Sequence, residues 1–228
     1  MRKISGLVIC VFLVCPNAFS QAASAWDSTY RPAIYSTRAG QFRSFSNSPE
    51  DIIFLGNSIT AYANWNELLE NEDARNRGIP GDITFGVISR LDEVVEGKPE
   101  KIFILIGIND IARNIPDSII LLNYKRIIQR IKLSSPNTRI YFHTLLPVNN
   151  TFVPSLQHFN KEEHIVYINQ ELKKLAIDEK IELIDLYSAF ADTEKRLDKS
   201  YTFDGLHLND KGYLKWAELL KKGRYLTK

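Results

Sequence analysis

Ser58 closes an apolar run, Ile52-Ile53-Phe54-Leu55-Gly56-Asn57-Ser58, and Asp204 and His207 stand three residues apart near the other end of the chain. A serine hydroxyl, an imidazole and a carboxylate can act as nucleophile, base and orienting group in acyl transfer. The imidazole takes the hydroxyl proton as the oxygen attacks a carbonyl. The carboxylate selects the tautomer and stabilises the imidazolium. On a turn or nascent helix, positions i and i+3 share a face, so Asp204 can reach His207. Each feature also has a plainer explanation. Ser58 after Gly56 suits a helix N-cap, and Asp204 to His207 suits a polar turn before a helix that begins near Asn209.

Acyl transfer also needs donors for a developing oxyanion. Gly81 can bring a backbone N–H close because it has no side chain, and Asn109 can offer its amide. Turn chemistry accounts for either residue taken alone. Their meaning depends on whether one scaffold brings all four loops together.

The elements that must position these loops are readable as two kinds of run. Ile52–Leu55, Lys101–Ile106, Arg139–Thr144 and Ile181–Leu186 are short and apolar with little alternation, as in strands buried on both faces of a parallel sheet. Ala74–Arg77 is more polar and suits an edge. Between them lie helical stripes: Ile120, Tyr124, Ile127, Ile128 and Ile131; Ile165, Ile168, Leu172 and Leu175; Tyr213, Trp216, Ala217 and Leu220. A helix is expected to run from Ile59 to Glu70, and another within the segment 26–49. This alternation predicts a three-layer α/β/α fold on a parallel sheet. Ligands of such sheets bind beyond the carboxyl ends of the strands. Gly56-Asn57-Ser58, Gly78 to Asp82 and Gly107 to Asp110 all fall there, and the Asp204–His207 loop can reach the same edge.

Four histidines are present. His143 late in its strand is expected to be packed or hydrogen-bonded. His158, in the loop 147–160, could line a substrate cleft, and His164 falls on a solvated helix face. A metal centre from Asp82, Asp110, Asp204 and His207 is conceivable, but no HxH or HExxH spacing supports it.

At these residues the chain resembles the GDSL or SGNH hydrolases, a family named for Ser, Gly, Asn and His in four blocks. FLGNSIT at 54–60, RNRGIPGD at 75–82, GIND at 107–110 and DGLHLN at 204–209 resemble those blocks in order. The stretch through SRLDEVVEGKPEKIFILIGIND resembles the branch of platelet-activating-factor acetylhydrolase subunits and bacterial carbohydrate acetylesterases. The resemblance implies a flavodoxin-like fold and a cofactor-free serine esterase. It implies Ser58, Asp204 and His207 as catalytic residues, with the N–H groups of Ser58 and Gly81 and the Asn109 amide as oxyanion hole. One position departs: the family usually has Asp where this chain has Asn57.

Arg2 and Lys3, the apolar run Ile4–Cys15 and the small residues Ala18 and Ser20 have the layout of a secretory signal peptide. At about 12 residues the run is short of the roughly 20 needed to span a bilayer. The expected organisation is a signal at 1–20, a lead-in at 21–50 and the catalytic domain at 51–228, with export to the periplasm or the extracellular space. Cleavage would remove both cysteines and lower Lys+Arg from 29 to 27, equal to the 27 Asp+Glu. A neutral chain gives no electrostatic basis for binding nucleic acid, and no stable membrane insertion is expected. The expected partner is a glycan or small-molecule ester, with O-acetyl the favoured acyl group. The alternatives are a lipid-directed esterase or lysophospholipase, and a glycan-binding module that kept the fold but lost catalysis.

Overall fold

The computed structural model describes residues 26–152 and 156–227; the expected signal at 1–20 lies outside them. Five parallel strands form one sheet: β1 (Ile52–Gly56), β2 (Ala74–Gly78), β3 (Lys101–Leu105), β4 (Arg139–His143) and β5 (Glu182–Ile184). Their order is β2-β1-β3-β4-β5. Every residue of β1 and β3 is buried, as apolar strands covered on both faces require. The more polar β2 lies at the edge.

The helices are α1 (Tyr35–Ser44), α2 (Ser58–Ala61), α3 (Trp65–Leu69), α4 (Thr84–Ser89), α5 (Leu91–Val95), α6 (Ile108–Ala112), α7 (Asp117–Ser134), α8 (Glu162–Asp178), α9 (Leu186–Phe190) and α10 (Asp210–Lys222). Helices α4, α5 and α8 pack with α7 on one face, and α3 packs with α10 on the other. All five residues of the predicted α7 stripe are buried. In the other two stripes Leu175 and Tyr213 remain partly exposed, while the rest are buried. No described helix is long and apolar enough to cross a membrane.

A row of aromatic rings joins the sheet to the second face. Phe54, Phe103 and Tyr141 are in register on β1, β3 and β4. Trp65 stacks on Phe54 at 3.9 Å between centroids, Phe54 on Phe103 at 5.0 Å, and Phe103 on Tyr141 at 4.6 Å. Trp216 of α10 meets Trp65 edge-on at 4.8 Å. Each such pair contributes about 0.5–1.5 kcal/mol beyond its area burial. The row seats α10, and with it the loop that carries His207, against the sheet.

The helix expected from Ile59 to Glu70 is instead two short ones, α2 and α3. Asn76 of β2 explains the break. Its amide nitrogen lies 3.2, 3.0 and 2.8 Å from the carbonyl oxygens of Thr60, Ala61 and Ala63, its two hydrogens shared among them, and the Trp65 indole N–H also donates to Thr60 O at 3.0 Å. These donors come from side chains and not from the next helical turn, so the chain can bend without leaving buried carbonyls unpaired.

Candidate active site

Ser58 sits where β1 turns into α2. Gly56 lets the turn close, since a Cβ there would overlap Leu105 O and Thr60 Oγ1. Asn57 caps α2, its Oδ1 accepting the Ile59 N–H at 3.0 Å. A neutral amide oxygen therefore does this capping where the family usually has a carboxylate, and the turn that carries Ser58 is formed.

Ser58 Oγ lies 2.9 Å from His207 Nε2, and His207 Nδ1 lies 2.7 Å from Asp204 Oδ2. The other carboxylate oxygen, Oδ1, accepts the backbone N–H groups of Leu206 and His207 at 2.9 and 2.7 Å. One carboxylate thus orders both the loop and the imidazole. Burial alone would raise the Asp204 carboxyl. The hydrogen bonds from His207 and Leu206 outweigh it and hold the group below the usual carboxylate range. Thr202 Oγ1 donates to His207 O at 2.6 Å and accepts from Gly205 N at 2.9 Å, which braces the turn from the other side.

Residues Ile79 to Asp82 make a β-turn closed by Asp82 N–H to Ile79 O at 3.0 Å. Pro80 in second place and Gly81 at φ +79° in third follow the type II pattern. The Asn109 amide donates to Asp82 O at 2.9 Å, which sets it against this turn. Among the described residues, no protein acceptor takes the N–H of Ser58 or of Gly81. Asn109 has a second amide hydrogen besides the one given to Asp82. Three donors are thus available near the strand ends, on the loops expected to carry them.

A buried ion network under these loops was not foreseen. Arg90 pairs with Asp82 at 3.1 Å and with Glu93 at 3.4 Å. The same guanidinium donates to Gly56 O at 3.2 Å and to Arg77 O at 2.8 Å. It therefore ties the ends of β1 and β2 to the glycine loop. Burial raises the Asp82 and Glu93 carboxyls, and the arginines oppose that rise. Asp110 accepts the N–H of Thr84 at 3.0 Å and its hydroxyl at 2.5 Å. Burial pushes its carboxyl up to about 7, against the hydrogen bonds from Thr84. Arg90→Met is expected to lower the unfolding free energy by about 3–5 kcal/mol, because Asp82 and Glu93 would lose their shared buried counter-charge. Urea denaturation checks this, and an unchanged midpoint would contradict it.

The remaining histidines separate clearly. His143 is buried, accepts the Trp216 indole N–H at 3.2 Å and is pushed down to about 3 by burial, so it belongs to the core. His164 is not simply solvated: its Nδ1 lies 2.9 Å from Asp117 Oδ2. His158 reaches the site, with Nε2 2.9 Å from Asn109 Oδ1. Burial first, and nearby His207 second, lower its pKa to about 4. Asp82, Asp110 and Asp204 each have a separate partner. Among the described residues no group of three or more His, Cys, Asp or Glu side chains is arranged to hold a metal.

Known proteins resemble this chain in sequence and in fold. Platelet-activating factor acetylhydrolase IB subunit alpha2 of Rattus norvegicus is 29% identical over 171 residues, covering 72% of each chain. A Streptococcus pneumonia structure, provisionally assigned as a platelet activating factor, superposes with a TM-score of 0.76 at 32% identity, covering 84% of this chain and 92% of its own. The acetyl xylan esterase AlAXEase shares the fold with a TM-score of 0.63 at 21% identity, over 76% of this chain and 98% of its own. The model of the GDSL-like lipase/acylhydrolase family matches residues 54–215, and the chain belongs to that family.

Proposed function

We propose that this acylhydrolase is an exported serine esterase that removes short acyl groups, acetyl above all, from a glycan. The observation that carries the catalytic part is the unbroken chain Asp204–His207–Ser58, with contacts of 2.7 and 2.9 Å. His207 Nε2 accepts the Ser58 proton as Oγ bonds to the ester carbonyl carbon. The N–H groups of Ser58 and Gly81 and the free amide hydrogen of Asn109 receive the oxyanion. The carbon–oxygen bond to the leaving alcohol then breaks, and His207 hands that alcohol the proton. Water attacks the acyl-enzyme with His207 again as base, the acid leaves and the proton returns to Ser58.

Two features support a polar alcohol. A polar cleft of about 530 Å³ is lined by Asp27, Arg113, Asn114, Gln157 and Lys161. It starts one helical turn beyond Asn109 and beside His158, and its volume is that of a small-ligand site. The exposed rings of Tyr62 and Phe203 flank His207 at 5.2 and 5.8 Å and could stack on a sugar face. An acetyl xylan esterase among the fold neighbours is in keeping with this. Export rests on the composition of residues 1–20 alone.

A series of p-nitrophenyl esters tests the acyl preference. kcat/KM is expected to be highest for acetate and to fall at least about tenfold by octanoate. Acetylated sugars should release acetate. A maximum at long chains would instead favour the lipid-directed reading, with Tyr62 and Phe203 covering an acyl tail.

A further inference from the structure

We propose that His158 is a positioning residue for the oxyanion hole, holding the Asn109 amide in the orientation that presents its free hydrogen to the reacting oxygen. This rests on the serine-esterase reading of the site and not on the identity of the glycan.

The Asn109 amide has a partner at each end. Its Nδ2 faces Asp82 O at 2.9 Å, and a carbonyl oxygen can only accept, so the nitrogen end is fixed there. The oxygen end therefore faces His158 Nε2 at 2.9 Å and accepts from it. His158 must then carry its proton on Nε2. Nδ1 is left as a bare acceptor, and it is buried with no hydrogen-bond partner among the described residues. A buried imidazole with one nitrogen unpaired stays neutral, as its lowered pKa also indicates. Neutrality suits the location, since a second imidazolium there would oppose the charge that His207 acquires in each turnover. With both ends of the amide held, its plane is set before substrate arrives. Donors aimed in advance cost no reorganisation in the transition state. Removal of His158 leaves Asn109 Oδ1 without its donor and the amide held only at its nitrogen end, so its plane is less tightly set. Asn109 and His158 come from α6 and from the 147–160 loop, so the contact is made by tertiary packing alone.

The experiment is steady-state kinetics on p-nitrophenyl acetate with four proteins besides the wild type: His158→Leu, His158→Gln, Asn109→Ala and the Asn109→Ala/His158→Leu double variant. His158→Leu is expected to lower kcat by about 10–10²-fold, short of the 10²–10³-fold typical of losing a donor outright. KM should stay within about twofold. His158→Gln keeps an N–H donor at similar reach and is expected to recover kcat to within about threefold of wild type. In the Asn109→Ala background, His158→Leu should add no further loss, because its effect passes through Asn109. Unchanged kcat in His158→Leu overturns the proposal. So does equal impairment by Leu and Gln, or full additivity with Asn109→Ala. If His158→Leu alone misfolds by circular dichroism, the Gln variant decides: a kcat within threefold supports the proposal, and a larger loss in a folded protein overturns it. Wild-type turnover that disappears in Ser58→Ala establishes the serine-esterase reading separately. Without wild-type turnover, both readings fall together.

Discussion

Ser58→Ala is expected to lower kcat for acetyl-ester hydrolysis by about 10⁴–10⁶-fold, with little change in stability. The size follows from what the hydroxyl supplies. In the proposed mechanism Oγ bonds to the carbonyl carbon, and among the described residues no other side chain is hydrogen-bonded to His207 Nε2. The backbone N–H of residue 58 survives in alanine, and the Asn109 amide is untouched. Residual turnover should therefore reflect the oxyanion donors acting on water attack. Fold stability should hold because, among the described residues, the Ser58 side chain is hydrogen-bonded to His207 alone, while Asn57 caps the helix. Covalent labelling by a fluorophosphonate should be lost in step with turnover. A variant that keeps the wild-type rate would exclude Ser58 as nucleophile. A wild type that takes no label would favour the glycan-binding alternative.

The parts of this molecule set by local pattern were legible in the sequence. The apolar runs of β1 and β3 are buried throughout, and the more polar Ala74–Arg77 run became the edge strand β2. The Asp204-Gly205-Leu206-His207 spacing was legible because the contact is local: one carboxylate caps its own turn and grips the imidazole within it. Contacts between distant segments left no such trace. The break between α2 and α3 depends on Asn76, a strand residue whose amide hydrogens are shared among three carbonyls of an earlier segment. Arg90 looks like an ordinary charge between two short helices, yet it is buried and joins two strand ends to the glycine loop. Asp117, 47 residues from His164, turned an apparently solvated side chain into a paired one. His158 could be placed near a cleft from its loop. Its bond to Asn109, 49 residues away, could not be read until both loops were in place.

The same local and non-local division shapes what Asp204→Asn should do. We expect kcat to fall by about 10⁴-fold while the loop keeps its conformation. The substitution retains Oδ1, so the N–H groups of Leu206 and His207 keep their acceptor. What changes is the atom facing His207 Nδ1, where an acceptor oxygen becomes an N–H donor. Nδ1 must then be the bare nitrogen, and the imidazole proton moves to Nε2, facing Ser58 Oγ. In that tautomer His207 cannot take the serine proton. The loss of negative charge also removes the stabilisation of the imidazolium. Asp204→Ala makes the complementary case. It removes both oxygens, so it should lose the ordered turn as well as the tautomer, and its thermal midpoint should fall below that of the Asn variant. In the wild type the hydrogen bonds to Asp204 hold its carboxyl below the usual range. The carboxylate therefore stays ionised well into acid. Steady-state kinetics paired with thermal melts of the two variants separate the roles. If Asp204→Asn retains activity within tenfold of wild type, neither the charge nor the tautomer set by Asp204 is needed, and the carboxylate serves only to order the turn.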